Sequence, residues 1–325
     1  MTIRSTVVGS YPKPPDEGQR FDVRKTIQGI DRGETTVEDL KRAQDELVTA
    51  IVGEHEAAGI DVITDGHARW EDILTPFARN WAGFEIGGLL RWFDNNTYYR
   101  RPVCTGPIEW RGPSSVEAFR FAVSVAKTST VKAVIPGPVT FARLSVDEYY
   151  ANHENFVAGI ADVLAQEAAE LEAAGATIIQ IDEPALLDAP EDLALAKAGI
   201  AMITDGLSGV ETVLGTYFGD AKRIGTDLFD LPVDGFAFDL VSAPENIELI
   251  KRAPADRNIQ AGILDARNTM LERSDDLKVQ IEKLLEVVDA GRLSVAPSSG
   301  LEYLPREKAR AKLELLGSVT KEVGA

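Results

Sequence analysis

The chain has a single cysteine, Cys104, among 325 residues. An internal disulfide is therefore impossible, and so is a cluster of cysteine metal ligands. Histidine is almost as scarce, occurring only as His55, His67 and His153. Positive charge is short as well: 34 Lys and Arg stand against 52 Asp and Glu, a net charge of −18. So acidic a surface argues against a nucleic-acid or anionic-membrane partner and leaves a small molecule as the expected one. Long hydrophobic runs are missing. The apolar run in the opening "MTIRSTVVGSYPKP" is too short for a signal-peptide core or a spanning helix, so a cytoplasmic protein is expected. No Gly-rich phosphate fingerprint follows the first apolar stretch, which weighs against an open, doubly wound dinucleotide-binding sheet. Low-complexity linkers and strong internal repeats are also absent.

What is present is a rhythm. Short β-branched runs bounded by Gly, Asp or Pro recur at 5–10, 61–66, 131–137, 177–184, 211–218, 235–241, 258–265 and 293–299. Between them lie helical stretches with apolar residues at i, i+3 and i+4, among them 37–58, 155–174, 191–208 and 275–290. Near-continuous apolar strands alternating with helices imply a parallel sheet, and eight such units imply an α/β fold closed as a (β/α)8 TIM barrel. The whole of 1–325 is read as one barrel domain. Two segments exceed a minimal barrel: a polar connection at 11–36, and an aromatic, Gly- and Pro-rich stretch at 79–113. In the latter, "FDNNTYY" reads as a turn between two extended arms. The segment is therefore expected to be a hairpin over the barrel mouth that lends Trp92, Tyr98 or Tyr99 to a pocket; a dimer contact is the alternative, and a homo-oligomer is possible.

Barrel enzymes place their chemistry at the C-terminal ends of the strands, where the loops converge. Those ends supply Ser10 (strand one), Asp65, His67 and Arg69 (strand two), Asp182 and Glu183 (strand four) and Tyr217 (strand five). Asp239 follows strand six, Asp265, Arg267 and Asn268 strand seven, and Ser298 and Ser299 strand eight. An Asp in such a place also serves as a helix cap, and a Ser as a turn former. "IDEPAL" is more pointed. Two adjacent carboxylates follow an apolar strand, and Pro184 stops the ladder. Asp182 is read as functional, with Glu183 as its neighbour. Of the histidines, His55 and His153 are read as surface or packing residues. His67 is the candidate with titrating chemistry near neutrality.

Three motifs together, "TVVGSYPKP", "PGPVT" and "IIQIDEPAL", resemble the cobalamin-independent methionine synthase family, itself related to uroporphyrinogen decarboxylase. The resemblance runs through the whole chain in order. It implies transfer of a methyl group from a methyl-folate donor to a thiolate activated by zinc. The implied zinc ligands are a His-x-Cys pair after strand five, a Glu after strand six and a Cys before Gly-Leu after strand eight. This sequence has Tyr217, Gly219, Asp239 and Ser299 there. The stretches "GTYFG", "LPVDGFAFDLV" and "AGILDARN" are similar instead to the zinc-free barrel of the two-barrel enzymes. Ser10 and Asp182 match the implied amino-acid pocket. His67 replaces its strand-two acid, Arg267 replaces a strand-seven His, and the Trp that follows "GPVT" in the family is missing.

The expectation is thus a transferase of methyl or alkyl groups that needs no zinc, uses a possible methyl-folate-type donor and takes a small amino- or carboxylate-bearing substrate. His67, Asp182, Tyr217 and Asp239 would be catalytic. Ser10, Arg69, Glu183, Arg267, Asn268 and Ser299 would bind substrate. A cofactor-free lyase or decarboxylase, or a barrel that only binds a folate or amino acid, are the alternatives.

Overall fold

A computed structural model of the chain describes residues 2–15 and 22–324. Among the described residues the strands, in chain order, are β1 (Arg4–Ser5), β2 (Val62–Ile63), β3 (Ala82–Arg91), β4 (Tyr98–Glu109), β5 (Thr130–Val131), β6 (Ala133–Pro136), β7 (Val146–Asp147), β8 (Ile178–Asp182), β9 (Glu211–Gly215), β10 (Gly235–Asp239), β11 (Asn258–Leu264) and β12 (Leu293–Pro297). Each expected barrel strand has its counterpart here, with β5 and β6 sharing the third. Seven strands pair in parallel in the order β1-β12-β11-β10-β9-β8-β6. The ring is completed by a separate β2-β5 pair and a single bridge between Thr6 and Val62. The third strand is therefore divided at Lys132: its first half pairs with β2 and its second with β8.

Strand one is shorter than its apolar run. After Thr6 the chain leaves the ladder and folds over the top of the barrel. There the Gly9 carbonyl accepts from Thr64 Oγ1 at 2.7 Å, and Tyr11 N donates to the Gly66 carbonyl at 3.1 Å.

Helices wrap the ring. Residues Val37–Ala57 form the longest helix before β2, opened by a capping box between Thr36 and Asp39. Its Leu47, Val48, Ile51 and Val52 are buried against the strands, in keeping with their spacing. Helix His153–Ala173 starts on an Asn152 cap and buries Val157, Ile160, Val163 and Leu164. Inside the ring the side chains form tiers. Val62, Ile178, Val213 and Ala237 make a small apolar floor. Below it Arg4 grips Glu211 with two hydrogen bonds at 3.0 and 3.1 Å, and Asn258 adds a third at 2.9 Å. Ile178, Gln180 and Asp182 alternate along β8 on one face, so the floor gives way to polar residues toward the C-terminal end.

The 79–113 segment is a hairpin. β3 and β4 pair antiparallel over ten and twelve residues, and β7 adds alongside β4. Trp92 N donates to the Thr97 carbonyl at 2.9 Å to close the turn. Of the connection at 11–36, residues 16–21 lie outside the described residues, and Val23–Asp31 is helical.

Candidate active site

A cavity of about 690 Å3 opens at the C-terminal end of the ring. That lies within the range of small-molecule sites, about 300–1,000 Å3. Ser10, His67, Asp182 and Tyr217 all line it.

His67 is held by a strained backbone. It has φ 49° directly after Gly66 at φ 68°, and its N–H donates to Asp65 Oδ1 at 3.0 Å. The left-handed turn throws the ring back across the mouth, where it stacks on Trp70 at 4.1 Å between centroids. Its Nδ1 lies 2.9 Å from Ser10 Oγ. Its Nε2 is buried without a partner among the described residues. Burial, followed by the charges of Lys13 and Lys132, pulls the imidazole down to about 3, so it is neutral at physiological pH. Gly9 is what lets the ring in, since a Cβ there would come within 2.7 Å of His67 Cε1.

Asp182 ends β8 and is 2% exposed. Its Oδ1 accepts from Gln180 Nε2 at 2.7 Å and its Oδ2 from the Tyr217 hydroxyl at 2.9 Å. Burial pushes its carboxyl up to about 7, against the pull of these hydrogen bonds and of Lys132. Gly215 on β9 makes room for it, because a Cβ there would stand 2.3 Å from Asp182 Oδ1. Tyr217 is raised well above its ordinary value by burial and by Asp182, and so stays a hydrogen-bond donor.

Other expected site residues lie elsewhere. Glu183 points away from the cavity; its two oxygens accept from Val139 N at 2.8 Å and Thr140 N at 2.7 Å, capping the helix Pro138–Arg143. Adjacent residues on a strand face opposite ways, so Asp182 and Glu183 cannot share a site. Asp239 is spent on backbone, accepting from Val241 N at 2.9 Å, Ser242 N at 2.8 Å and Phe218 N at 3.3 Å. Arg69 pairs with Asp45 and Glu117 and lies over Phe121, outside the cavity lining. Arg267 donates to Ser242 Oγ at 2.6 Å and covers the Phe218 ring, so it buttresses the wall rather than lining it. Asn268 is exposed and caps its own turn at Met270 N. Ser299 is buried, with its hydroxyl directed to the Gly300 carbonyl. Of the two histidines expected as surface or packing residues, His55 is fully buried and His153 lies 2.8 Å from Asp192 Oδ2.

Several lining residues were not singled out from the sequence. Lys13 donates to the Trp70 carbonyl, and burial lowers its pKa. Glu302 has a buried Oε2 without a partner among the described residues, and burial pushes it up to about 7. Tyr303 stands beside it on the same wall. Both fall just beyond the "SVAPSS" strand, and Lys13 falls inside "GSYPKP"; the signal was nearness to a motif. The hairpin contributes Trp92, Thr97 and Tyr98 to the lining. Tyr99 turns the other way and donates to the Leu144 carbonyl at 3.0 Å.

The zinc implied by the motifs finds no matching donors. Among the described residues no three His, Cys, Asp or Glu side chains converge as a metal set. Cys104 is buried in the hairpin with its thiol on the Gly106 carbonyl. At the implied ligand positions the Tyr217, Asp239 and Ser299 oxygens are already engaged, and Gly219 has no side chain. A thiolate zinc centre does not fit these residues.

Comparison with known proteins places the chain. The family described as "Cobalamin-independent synthase, Catalytic domain" matches residues 3–322. A methionine synthase of Saccharolobus solfataricus is 34% identical over 324 residues, covering 99% of this chain and 95% of that protein. One from Sulfolobus acidocaldarius is 34% identical over 315 residues, covering 96% and 89%. Among solved structures, a B12-independent methionine synthase from Shewanella sp. W3-18-1 in complex with selenomethionine superposes with a TM-score of 0.85 at 22% identity, covering 99% of this chain and 98% of that one. A second, from Listeria monocytogenes, gives 0.79 at 20% identity, with 100% and 99% coverage. These two likenesses bear on the fold, which is the barrel. With a match that spans the sequence and relatives at about a third identity, the chain belongs to the cobalamin-independent methionine synthase family and is a transferase of it.

Proposed function

We propose that the cavity transfers a methyl or alkyl group to a small amino- or carboxylate-bearing substrate without a thiolate-bound zinc. The observation that carries this reading is the convergence of Ser10–His67 and Asp182–Tyr217 on one enclosed mouth whose metal-ligand positions hold no soft donor. Asp182, when ionised, pairs the substrate ammonium, and Tyr217 holds its second oxygen in place. Ser10 orients His67. In the tautomer with the hydrogen on Nδ1, donated to Ser10, the neutral Nε2 is free to accept a hydrogen bond from the acceptor's N–H or O–H as the new bond to carbon forms and the proton passes on. The methyl-folate-type donor supplies the methyl group and finally receives that proton. Trp92, Tyr98 and Tyr303 offer it flat apolar faces, in place of the missing Trp after "GPVT". In this reading the whole chain is one barrel domain and the hairpin is its lid.

The lyase alternative loses support because Arg267, its candidate for a substrate carboxylate, braces the wall instead. The test is thermal shift and calorimetry with L-methionine as the amino-acid probe and 5-methyltetrahydrofolate as the donor probe. Ligands that bind the native state raise its melting point. Both probes should bind, and Asp182→Asn should weaken L-methionine while sparing the folate. Failure of the wild-type protein to bind either probe would rule the reading out.

A further inference from the structure

A lysine whose charge reaches both His67 and Asp182 is buried inside the ring, outside the cavity lining. Lys132, at the break between β5 and β6, is 3% exposed. Its Nζ donates to Gln180 Oε1 at 2.5 Å and lies 3.4 Å from Gln260 Oε1. A buried ammonium is costly without a partner, and among the described residues no carboxylate is in direct contact with it. The nearest compensation is one amide away. Gln180 Nε2 donates to Asp182 Oδ1 at 2.7 Å and to the Val8 carbonyl at 2.9 Å.

The chain of donors has one polarity. An ammonium can only donate, so the Gln180 oxygen must face Lys132 and the Gln180 nitrogen must face Asp182. With the amide so fixed, Asp182 Oδ1 must accept. Oδ2 accepts from Tyr217. With Tyr217 as donor, both contacts suit an ionised carboxylate.

We propose that Lys132 is a positioning residue for Asp182: through the Gln180 amide its ammonium holds Asp182 ionised and aimed at the cavity. This deepens the reading above and rests on Asp182 being the group that meets the substrate. Burial drives the two groups toward each other's range, Lys132 down to about 7 and Asp182 up to about 7, so each depends on the other for its charge. Other charges face the pair. Arg4 and Glu211 bear on Lys132 from the floor, and Lys132 in turn lowers His67. Asp182 bears on Glu183, on Tyr217 in contact with it, and on Glu302 in the cavity lining.

The test follows the Asp182 carboxyl carbon by NMR through a pH titration, with Asp182→Asn identifying the resonance. Lys132→Met removes the charge at similar volume and should raise the Asp182 midpoint by about one unit or more. Lys132→Arg, which keeps the charge, should leave it closer to wild type. L-methionine affinity at pH 7 should fall about tenfold in Lys132→Met, and the loss should shrink at pH 9, where Asp182 ionises again. A merely structural lysine would weaken binding equally at every pH. An unmoved Asp182 midpoint in Lys132→Met overturns the assignment. A shifted midpoint in a protein that never binds L-methionine supports the assignment and sinks the amino-acid reading instead. Should Lys132→Met not fold, the wild-type Lys132 and Asp182 resonances decide: the proposal requires them to share their titration steps, and independent midpoints refute it.

Discussion

At the scale of single residues, chemistry in this site is set by how few neighbours share the charge. Among the described residues Asp182 has no cation in direct contact, so an incoming ammonium is its natural partner. Asp182→Asn should therefore raise the Kd for L-methionine by about tenfold or more, a loss of about 1–3 kcal/mol, as read by calorimetry. In the wild type the same binding should strengthen between pH 6 and 8, because the carboxyl ionises around 7. His55 gives a clean stability test. Its ring packs edge-on against Tyr11, 4.8 Å between centroids, with neither nitrogen bonded among the described residues. Burial, with Arg306 nearby, lowers it to about 3. Between that value and its unfolded value the unfolded chain binds the extra proton, so stability is lost as pH falls below about 6.5. His55→Phe should remove that slope, up to about 1.4 kcal/mol per pH unit relative to wild type, measured by denaturant melts at pH 5 and 8. Much of this scale was beyond the sequence. "IDEPAL" showed two carboxylates, and strand alternation explains why only one faces in. Nothing in the order of residues showed that Asp239 would be consumed by three backbone N–H groups, or that Arg69 would find Asp45.

At the scale of elements, the strand and helix rhythm was plain because apolar periodicity is a local property. The strand windows and the four long helices appear within a few residues of where the pattern puts them. What periodicity missed was pairing: strand one bends away early, and strand three is split between two partners. The Phe218 turn depends on such a non-local support. Phe218 has φ 72° and its N–H is held by Asp239. Asp239→Ala frees that turn and two further N–H groups, and should cost about 1–3 kcal/mol in chemical denaturation. The hairpin tip is the other element with a testable role. Replacing 93–99 with a short Gly-Ser turn removes Thr97 and Tyr98 from the lining. Loss of folate and L-methionine binding at unchanged oligomeric state is the expected result. Conversion to a monomer with binding intact would assign the hairpin to assembly.

At the scale of the whole molecule, elemental analysis of dialysed protein should find well below one zinc per chain, since the barrel positions persist while their donors differ. Family and fold were legible in three short motifs spread over the chain, because barrel geometry constrains strand ends more than it constrains the groups displayed there. The ring itself is uneven. Seven strands form one continuous ladder, whereas the first strand meets β2 in the ladder only at the Thr6–Val62 bridge, with Val7 N on the Val62 carbonyl at 3.3 Å and side-chain bonds between Ser5 and Asp61 beside it. That makes a seam, and Ser10 and His67 stand on either side of it at the top. In amide hydrogen exchange, Val7 and Lys132 should open sooner than Ile181 or Leu214. The halves of the site would then differ in stiffness: the Asp182–Tyr217 side anchored in the ladder, the Ser10–His67 side free to breathe as ligand enters.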